Sequence, residues 1–284
     1  MNFSDAQIRG RIKNLAEENQ ADPRVLMRLY MMERFLERVS VSKYRENIIV
    51  KGGVLITSLL GVSLRSTMDI DTTIQNFTLS PEKTKNMVEE ISRIDLDDGI
   101  NFKLKNTADI MSNMEYPGIR FSLDAYLGKM ITPIKVDIST GAVITPSAIE
   151  YNYNLLLEDR SISILSYNIE TVFAEKLQTI LSRGILNTRM RDFYDIHILF
   201  TTRKKEIDNT ILNHAFYATC KHRQSELVIA NMQSIYDIIA TDKKLASLWI
   251  SYQRKFPYAR SISFDTVLLS LNAVIQLIQS VMHK

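Results

Sequence analysis

The spacing of apolar residues changes near residue 165, and this change limits the possible folds of the chain. Before it, short apolar runs and alternating patterns are typical of strands, because successive side chains of a strand point to opposite faces. After it, apolar residues recur three and four positions apart almost to the last residue, as in packed helices. The sequence therefore predicts an α+β fold with two domains. Residues 1–165 would hold a mixed sheet with flanking helices, and residues 166–284 helices alone.

The same periodicities predict the individual elements. Asp22 followed by Pro23 is typical of a helix start, since an aspartate caps the free N–H groups and proline suits the first turn. Helices are expected at 4–20, 22–40, 54–61 and 80–94, and then at 168–183, 188–201, 205–220, 224–240, 242–255 and 263–282. Strands are expected at 47–51, 67–76, 100–105, 118–126 and 132–139, with a hairpin within 152–165.

Composition indicates a folded protein of a reducing compartment. The chain is 45% hydrophobic and 24% charged, and Cys220 is its single cysteine, so an internal disulfide is excluded. The first 20 residues lack the apolar run of a signal peptide, and no stretch reaches the ~18 uncharged apolar residues of a membrane span. The sequence therefore predicts a cytoplasmic protein without a membrane partner.

Charge is distributed unevenly along the chain. Residues 1–169 carry 20 Lys and Arg against 22 Asp and Glu, whereas residues 170–284 carry 15 against 10. A basic C-terminal part favours a polyanionic partner such as RNA. A basic helical surface without a partner would explain the same counts.

Two aspartates one residue apart are the first candidate site. In the alternating segment 67–76, Asp69 and Asp71 would point to the same face of a strand, where their charges repel. A Mg²⁺ ion would relieve the repulsion, because this cation binds carboxylate and phosphate oxygens together. The alternative is an edge strand with solvated acids, which an isolated pair of this kind favours.

The residues before this pair suit phosphate binding. Gly52 and Gly53 follow a predicted strand, and without Cβ atoms their backbone can approach a phosphate closely. Arg65 is placed to meet phosphate charge, and Ser66 and Thr67 follow it as further candidate ligands of the nucleotide. The alternative is a tight turn with a structural role only.

A third carboxylate lies on a later predicted strand. Asp137 stands between apolar neighbours in IKVDIS, and a lone carboxylate there is unfavourable unless it is paired or binds a metal. If that strand lies beside Asp69 and Asp71, the three carboxylates could hold two cations, one for a triphosphate and one that activates an attacking hydroxyl. The alternative is an aspartate on the exposed face of the strand.

Two charged patterns fall in the helical domain. Lys176 and Arg183 are seven residues apart and would share one helical face, which suits a nucleotide phosphate or an RNA backbone. Arg191-Asp192 and Asp195 begin the next helix. The alternatives are a surface helix with solvated cations, and acids that merely favour a helix N-terminus.

Together the four patterns resemble one known family. Gly52-Gly53 to Asp69-Ile70-Asp71, Ile134-Lys135-Val136-Asp137, Lys176 to Arg183, and Arg191-Asp192-Phe193-Tyr194-Asp195 occur in the order found in AbiEii-type nucleotidyltransferase toxins, which include the mycobacterial MenT proteins. One difference is the Gly-Ser of the wider superfamily, which here is Gly52-Gly53. The last ~85 residues match no motif of the family.

The resemblance implies a fold, a reaction and roles for residues. The fold would be a polymerase-β-like nucleotidyltransferase core followed by a helical lobe. The protein would be the toxin of a toxin–antitoxin pair, with a cognate antitoxin as partner, and would transfer a nucleotide from an NTP to an acceptor, the 3′ end of tRNA. The implied ligands of Mg²⁺ are Asp69, Asp71 and Asp137, the last also as a possible base. The triphosphate would contact Gly53, Arg65 and Lys176, and Arg183 and Asp192 would orient the nucleotide.

Two other functions fit the same residues. One is a nucleotidyltransferase that acts on a small molecule or a protein. The other is a nucleotide-binding module without catalysis, which would have no use for three carboxylates. Mg²⁺-dependent incorporation of labelled nucleotide into RNA separates these possibilities from the first.

Overall fold

The computed structural model describes residues 3–110 and 118–282, and the chain divides into two compact units. The first unit comprises the residues up to Ala142 together with Ala148–Tyr167. The second comprises Val143–Ser147 together with the residues from Asn168 onward. The short segment Val143–Ser147 thus belongs with the helices that follow the sheet, because Asn168 donates a 2.7 Å hydrogen bond to the carbonyl of Thr145.

The first unit combines helices with a single sheet within the described residues. Its helices are α1 (Asp5–Glu18), α2 (Pro23–Val41), α3 (Gly52–Leu60) and α4 (Pro81–Ser92). Its strands are β1 (Ile48–Lys51), β2 (Ile70–Ile74), β3 (Ile100–Ile110), β4 (Gly118–Leu127), β5 (Met130–Ser139), β6 (Ile149–Asn154) and β7 (Ser161–Ser166).

The seven strands lie in the order β3-β4-β5-β2-β1-β7-β6. The pairs β2–β5 and β1–β7 are parallel, and the other neighbours are antiparallel. Helix α3 packs on β1 and β2, α2 on β5 and β7, and α4 on β3 and β4. The strictly alternating β4 buries its apolar side chains and leaves the polar ones between them partly exposed, as its sequence predicts.

Helix α2 carries buried charges as well as the predicted apolar stripe. Arg34 is 2% exposed and makes ion pairs with Glu33, Glu37 and Glu158 at 3.0, 2.8 and 2.9 Å. The second carboxylate oxygen of Glu33 accepts a 2.7 Å hydrogen bond from the backbone N–H of Leu156. This network fastens α2 to the turn between β6 and β7, and periodicity alone did not reveal it.

The second unit is helical within the described residues. Its helices are α5 (Ile169–Arg183), α6 (Met190–Arg203), α7 (Asn209–His222), α8 (Leu227–Ala230), α9 (Met232–Thr241), α10 (Lys243–Lys255) and α11 (Phe264–Met282), with short 3-10 turns at Gly184–Leu186, Lys204–Glu206 and Pro257–Ala259. Helix α5 packs against α6 and α7, and α11 packs against α6, α7 and α9.

Helix α11 is apolar enough, by length and hydropathy, to cross a membrane, which was not expected from the sequence. The window Phe264–Val281 has a mean hydropathy of 1.4. Its apolar residues include Val267, Leu271 and Ile275, which are fully buried against the neighbouring helices. Packing therefore accounts for one face of the helix, and 39% of the window is buried in all.

The structure confirms the predicted α+β class, the mixed sheet and the helical C-terminal part. The prediction of one helix over 224–240 is wrong, because two helices meet at Asn231. This residue has a φ of −115°, and its side chain donates a 2.8 Å hydrogen bond to the carbonyl of Leu227. An asparagine that bonds to nearby backbone competes with the helix and ends it.

The start of β2 also differs from the prediction. The strand begins at Ile70, so Asp69 lies in a bend before it and Met68 is 39% exposed. The neighbouring β1 pairs with β2 only as far as Lys51 opposite Asp71, because the chain turns into α3 at the next residue. The two aspartates are therefore not equivalent residues of one strand.

Candidate active site

The parallel pairing of β2 with β5 brings two predicted carboxylates together. Asp71 lies directly opposite Asp137 in the register, so both side chains point to the same face of the sheet. The hydroxyl of Thr72 donates to the carbonyl of Asp137 at 2.9 Å, and the hydroxyl of Ser139 donates to the carbonyl of Thr72 at 2.9 Å. These bonds fix the register that makes the carboxylates neighbours.

Two cations complete a row of charges across four adjacent strands. Lys51 of β1 is the register partner of Asp71, and Arg120 of β4 is the register partner of Asp137. We call Lys51, Asp71, Asp137 and Arg120 the charge row. Its order is positive, negative, negative, positive, so each carboxylate has a cation on its outer side.

Arg120 holds Asp137 with both arms of its guanidinium group. Its Nε donates to Oδ1 at 2.7 Å and its Nη2 donates to Oδ2 at 2.6 Å. These hydrogen bonds raise the pKa of Arg120, and the charges of Asp137, Asp69 and Asp71 act in the same direction. All three predicted carboxylates therefore lie within the electrostatic reach of this one guanidinium.

The surroundings of Asp71 disfavour its ionised form relative to a solvated carboxylate. Burial is the main cause that raises the pKa of this carboxyl, and the charges of Asp137 and Asp69 raise it further. A 3.2 Å hydrogen bond from the backbone N–H of Gly53 and the charge of Lys51 oppose the shift without cancelling it. A bound cation would stabilise the ionised form that this environment disfavours.

The two glycines make room for site side chains. Gly52 has a φ of +63°, and a Cβ there would lie 2.2 Å from Oδ2 of Asp71. At Gly53 a Cβ would lie 2.4 Å from Oγ1 of Thr67 and 3.4 Å from Arg65. The glycine pair therefore has a structural role in this structure, and its predicted contact with phosphate stays a prediction.

The segment between α3 and β2 is largely buried. Arg65 is 2% exposed and donates a hydrogen bond to the carbonyl of Ser66, while Thr67 is 4% exposed and donates to the carbonyl of Asp69 at 3.3 Å. These bonds fix the bend that carries Asp69. The contact of Arg65 with a triphosphate would require this buried side chain to become accessible, and it stays a prediction.

In the second unit, Lys176 forms a cluster with two buried carboxylates. Its ammonium group lies 2.8 Å from Asp192 and 2.8 Å from Asp195, whose side chains are 4% and 0% exposed. Although burial lowers the pKa of Lys176, the two carboxylates outweigh it, and the pKa is raised. The alternative of a solvated surface lysine is excluded for Lys176, because the fold buries both of its carboxylate partners.

The neighbouring charges of these motifs lie in different surroundings. Arg183 is exposed at the end of α5, and Arg189 makes a 2.8 Å ion pair with Asp192. Arg191 lies over the ring of Phe256, 5.1 Å from its centroid. The predicted nucleotide contact of Arg183 stays a prediction.

The structure thus arranges the predicted site residues as two clusters, one in each unit. The carboxylates and glycines belong to the first unit, and Lys176 and Asp192 belong to the second. Sequence reasoning missed the two cations of the charge row, Lys51 and Arg120. Lys51 could have been noticed in the sequence, since it immediately precedes the glycine pair. Arg120 becomes the partner of Asp137 only through the register of β4 and β5.

The three carboxylates of the first unit are chemically suited to Mg²⁺, but in this structure one of them is already held by an arginine. Asp69 and Asp71 supply the carboxylate oxygens that this cation binds. Both oxygens of Asp137 are held by Arg120, and within the described residues no three Asp, Glu, His or Cys side chains form a metal-binding group. Asp69 and Asp71 would hold the cation, and Asp137 would join them after exchange of its arginine partner.

Solved structures show which fold the chain shares. The chain matches MenT4, a nucleotidyltransferase toxin of Mycobacterium tuberculosis, at a TM-score of 0.55 and 11% identity, over 95% of this chain and 98% of that chain. It matches a Helicobacter pylori protein that is named as a nucleotidyltransferase at 0.52 and 16%, over 91% and 96%. JHP933 from Helicobacter pylori gives 0.51 and 15%, over 89% and 90%. The fold is therefore that of the nucleotidyltransferases.

Comparison with protein families shows to which family the chain belongs. The family described as "Nucleotidyl transferase AbiEii toxin, Type IV TA system" matches residues 34–270, which include both clusters of site residues. The chain belongs to this family of toxins. Among curated proteins, none matches the chain significantly. Membership confirms the resemblance inferred from the four motifs, and it implies a nucleotide substrate and a cognate antitoxin.

Proposed function

We propose that this toxin transfers a nucleotide from an NTP to the 3′ end of tRNA in a Mg²⁺-dependent reaction of the cytoplasm. Blocked or extended tRNA ends would stop translation and arrest growth. Family membership supports nucleotidyl transfer. The observation that carries the metal dependence is the neighbouring pair Asp71 and Asp137, with Asp69 in the bend before β2.

The roles of the carboxylates follow from their surroundings. Asp69 and Asp71 would bind Mg²⁺, which supplies neutralisation of the charge that develops on the phosphates. Asp137 accepts two hydrogen bonds from Arg120 and is 6% exposed, so its oxygens are fixed in direction. A carboxylate fixed in this way can accept the proton of an attacking hydroxyl once the arginine releases one oxygen.

The cluster in the second unit fixes the position of an ammonium group, and Lys176 and Arg189 together balance the charges of Asp192 and Asp195. Lys176 stays protonated because two buried carboxylates raise its pKa, and their hydrogen bonds hold its ammonium group in place. A cation that is already positioned loses little entropy when it meets a phosphate. Residues 170–284 also carry 15 Lys and Arg against 10 Asp and Glu, which supports a polyanionic acceptor.

The test is incorporation of radiolabelled nucleotide into total RNA. The wild-type protein should label tRNA in the presence of Mg²⁺, with each of the four NTPs tried separately, and EDTA should abolish the labelling. Asp69→Asn should be inactive, whereas Asp124→Asn, a change on β4 outside the carboxylate cluster, should be active. Label in a small molecule or in protein would assign another acceptor, and activity of Asp69→Asn would contradict the metal site.

Expression in bacteria tests the toxin function separately. Wild-type expression should arrest growth, and Asp69→Asn at the same protein level should not. The 3′ ends of extracted tRNA should change in length only with the wild type. Equal arrest by both proteins would show that toxicity is not catalytic, and arrest with unchanged tRNA ends would exclude tRNA as the acceptor.

A further inference from the structure

We propose that Arg120 occupies the place of a divalent cation at Asp137, so that metal binding and this ion pair exclude each other. The inference rests on the proposed function for the identity of the cation. Without a cation, Arg120 neutralises Asp137 directly and offsets part of the charge of Asp69 and Asp71. A cation that reaches Asp137 has to displace the guanidinium first.

The geometry of the ion pair is the first observation. Arg120 uses Nε and Nη2 on the two oxygens of Asp137, at 2.7 and 2.6 Å, which leaves neither oxygen without a donor. A fork of this kind matches a carboxylate in shape as well as in charge. Coordination of a metal by either oxygen has to replace one of these hydrogen bonds.

The position of the pair in the charge row is the second observation. Asp137 lies between Arg120 and Asp71 in the register of three neighbouring strands, which are ~4.8 Å apart. A cation shared by Asp71 and Asp137 would therefore stand within a few ångströms of the guanidinium. Two positive charges at that separation repel, so each disfavours the presence of the other.

Exposure shows that the exchange is possible. The side chain of Arg120 is 34% exposed, whereas that of Asp137 is 9% exposed. By contrast, the side chain of Arg38 is only 1% exposed in its ion pair with Asp98. Arg120 can swing out towards water while Asp137 stays in place, which is what a displaceable substitute for a cation requires.

The experiment compares Mn²⁺ binding and thermal stability in Arg120→Gln and a matched control. Arg45→Gln is the control, because Arg45 is 36% exposed and also makes a 2.6 Å ion pair, with Glu150, outside the carboxylate cluster. Mn²⁺ affinity is measured by calorimetric titration without nucleotide. Melting temperature is measured in EDTA and in saturating Mn²⁺.

Arg120→Gln should bind Mn²⁺ at least tenfold more tightly than the wild type. It should melt at a lower temperature in EDTA, because three carboxylates lose their shared counter-charge, and Mn²⁺ should restore most of this loss. Arg45→Gln should change neither the affinity nor the response to Mn²⁺. Arg120→Lys keeps the positive charge but loses the two-pronged hydrogen bonding of the guanidinium group, so its Mn²⁺ affinity should be intermediate. If Arg120→Gln does not fold in EDTA, Arg120→Lys is compared with the wild type in its place.

Equal Mn²⁺ affinity in the wild type and both Arg120 variants would overturn the proposal, as would a stability loss that Mn²⁺ does not restore. Absence of Mn²⁺ binding in every variant would overturn it together with the metal site. If the affinities change as expected but no NTP is transferred to any acceptor, the proposed function fails and the exchange at Asp137 stands.

Discussion

Asp71 and Asp137 face each other across the parallel strands β2 and β5, in a register that two backbone-directed hydroxyls support. Two like charges so placed destabilise the metal-free fold unless a cation accompanies them. Lys51 and Arg120 provide that charge from the strands on either side. The charge row therefore balances its own two carboxylates before any ligand binds, and Asp69 remains as a third.

Replacement of Asp71 by asparagine should separate catalysis from stability. Nucleotide transfer should fall roughly a thousandfold, since a lost metal ligand removes roughly 4 kcal/mol of transition-state stabilisation. The melting temperature in EDTA should not fall, because burial and two nearby carboxylates raise the pKa of Asp71 and disfavour its charge. A variant with full transfer activity would contradict the assignment of Asp71 as a ligand.

Gly52→Ala should damage the site through a steric conflict with Asp71. A Cβ at this position would lie 2.2 Å from the carboxylate, at a φ of +63°. We expect a loss of roughly 2–4 kcal/mol in the free energy of unfolding, together with loss of transfer. Gly99→Ala is the control, because it has a φ of +71° with open space around the Cβ position, and it should lose only the smaller conformational part. Denaturant unfolding of both variants measures the difference.

Lys176→Ala should reduce both activity and stability. It leaves the buried side chains of Asp192 and Asp195 without their shared cation, which destabilises a protein by roughly 3–5 kcal/mol. Lys176→Arg should restore transfer poorly, since a planar fork does not replace a compact ammonium group.

Arg183→Ala is the companion change on the same helix. Arg183 is exposed, so the free energy of unfolding should stay nearly unchanged. If this arginine contacts the nucleotide, the KM for NTP should rise. Unchanged kinetics would remove Arg183 from the site, and unchanged stability of Lys176→Ala would contradict the ion-pair cluster.

Glu33 should make stability depend on pH. Burial raises the pKa of this carboxyl to about 7 in the folded protein, although Arg34 and the N–H of Leu156 favour its charged form. The folded state therefore binds the proton more tightly than the unfolded state. The resulting stabilisation is complete below the unfolded pKa of 4.5 and is lost as the pH rises through about 7.

Glu33→Gln is neutral at every pH and should remove this dependence. Between pH 5 and pH 8, its stability relative to the wild type should rise by roughly 2.5 kcal/mol. Urea unfolding at several pH values provides the measurement, with Glu18→Gln on the exposed face of α1 as the control. Parallel pH profiles of wild type and Glu33→Gln would show that Glu33 does not titrate in this range.

Prediction of the fold from the sequence succeeded where local patterns decide the structure. Residues 118–127 alternate between apolar and polar side chains, and they form the alternating strand β4. Asp22 caps α2 through a hydrogen bond to the N–H of Arg24, with Pro23 in the first turn. These features depend on neighbours in sequence, so they can be predicted without knowledge of the tertiary structure.

The candidate site could be predicted only in part, because its geometry depends on register. The motifs indicated Asp71 and Asp137 but not that they are direct neighbours, which requires the parallel pairing of β2 with β5. Arg120 had no local signal at all, since its partner lies on another strand. The helical period of α5 left a solvated Lys176 open as an alternative, because a period cannot show that two carboxylates of α6 are buried beside this residue.

The parallel strand pairs also set when the site can form during synthesis. The hydroxyl of Thr72 reaches a carbonyl 65 residues further along the chain, and Arg45 donates to Ser163 across 118 residues. The chain loses conformational entropy when such long loops close, before the contacts that compensate for this loss have formed. The sheet should therefore assemble late in folding. A ribosome has to release β7 before β1 gains its outer neighbour. Asp71 gains Asp137 as its neighbour only after the release of β5, so a shorter nascent chain lacks the paired carboxylates of the site.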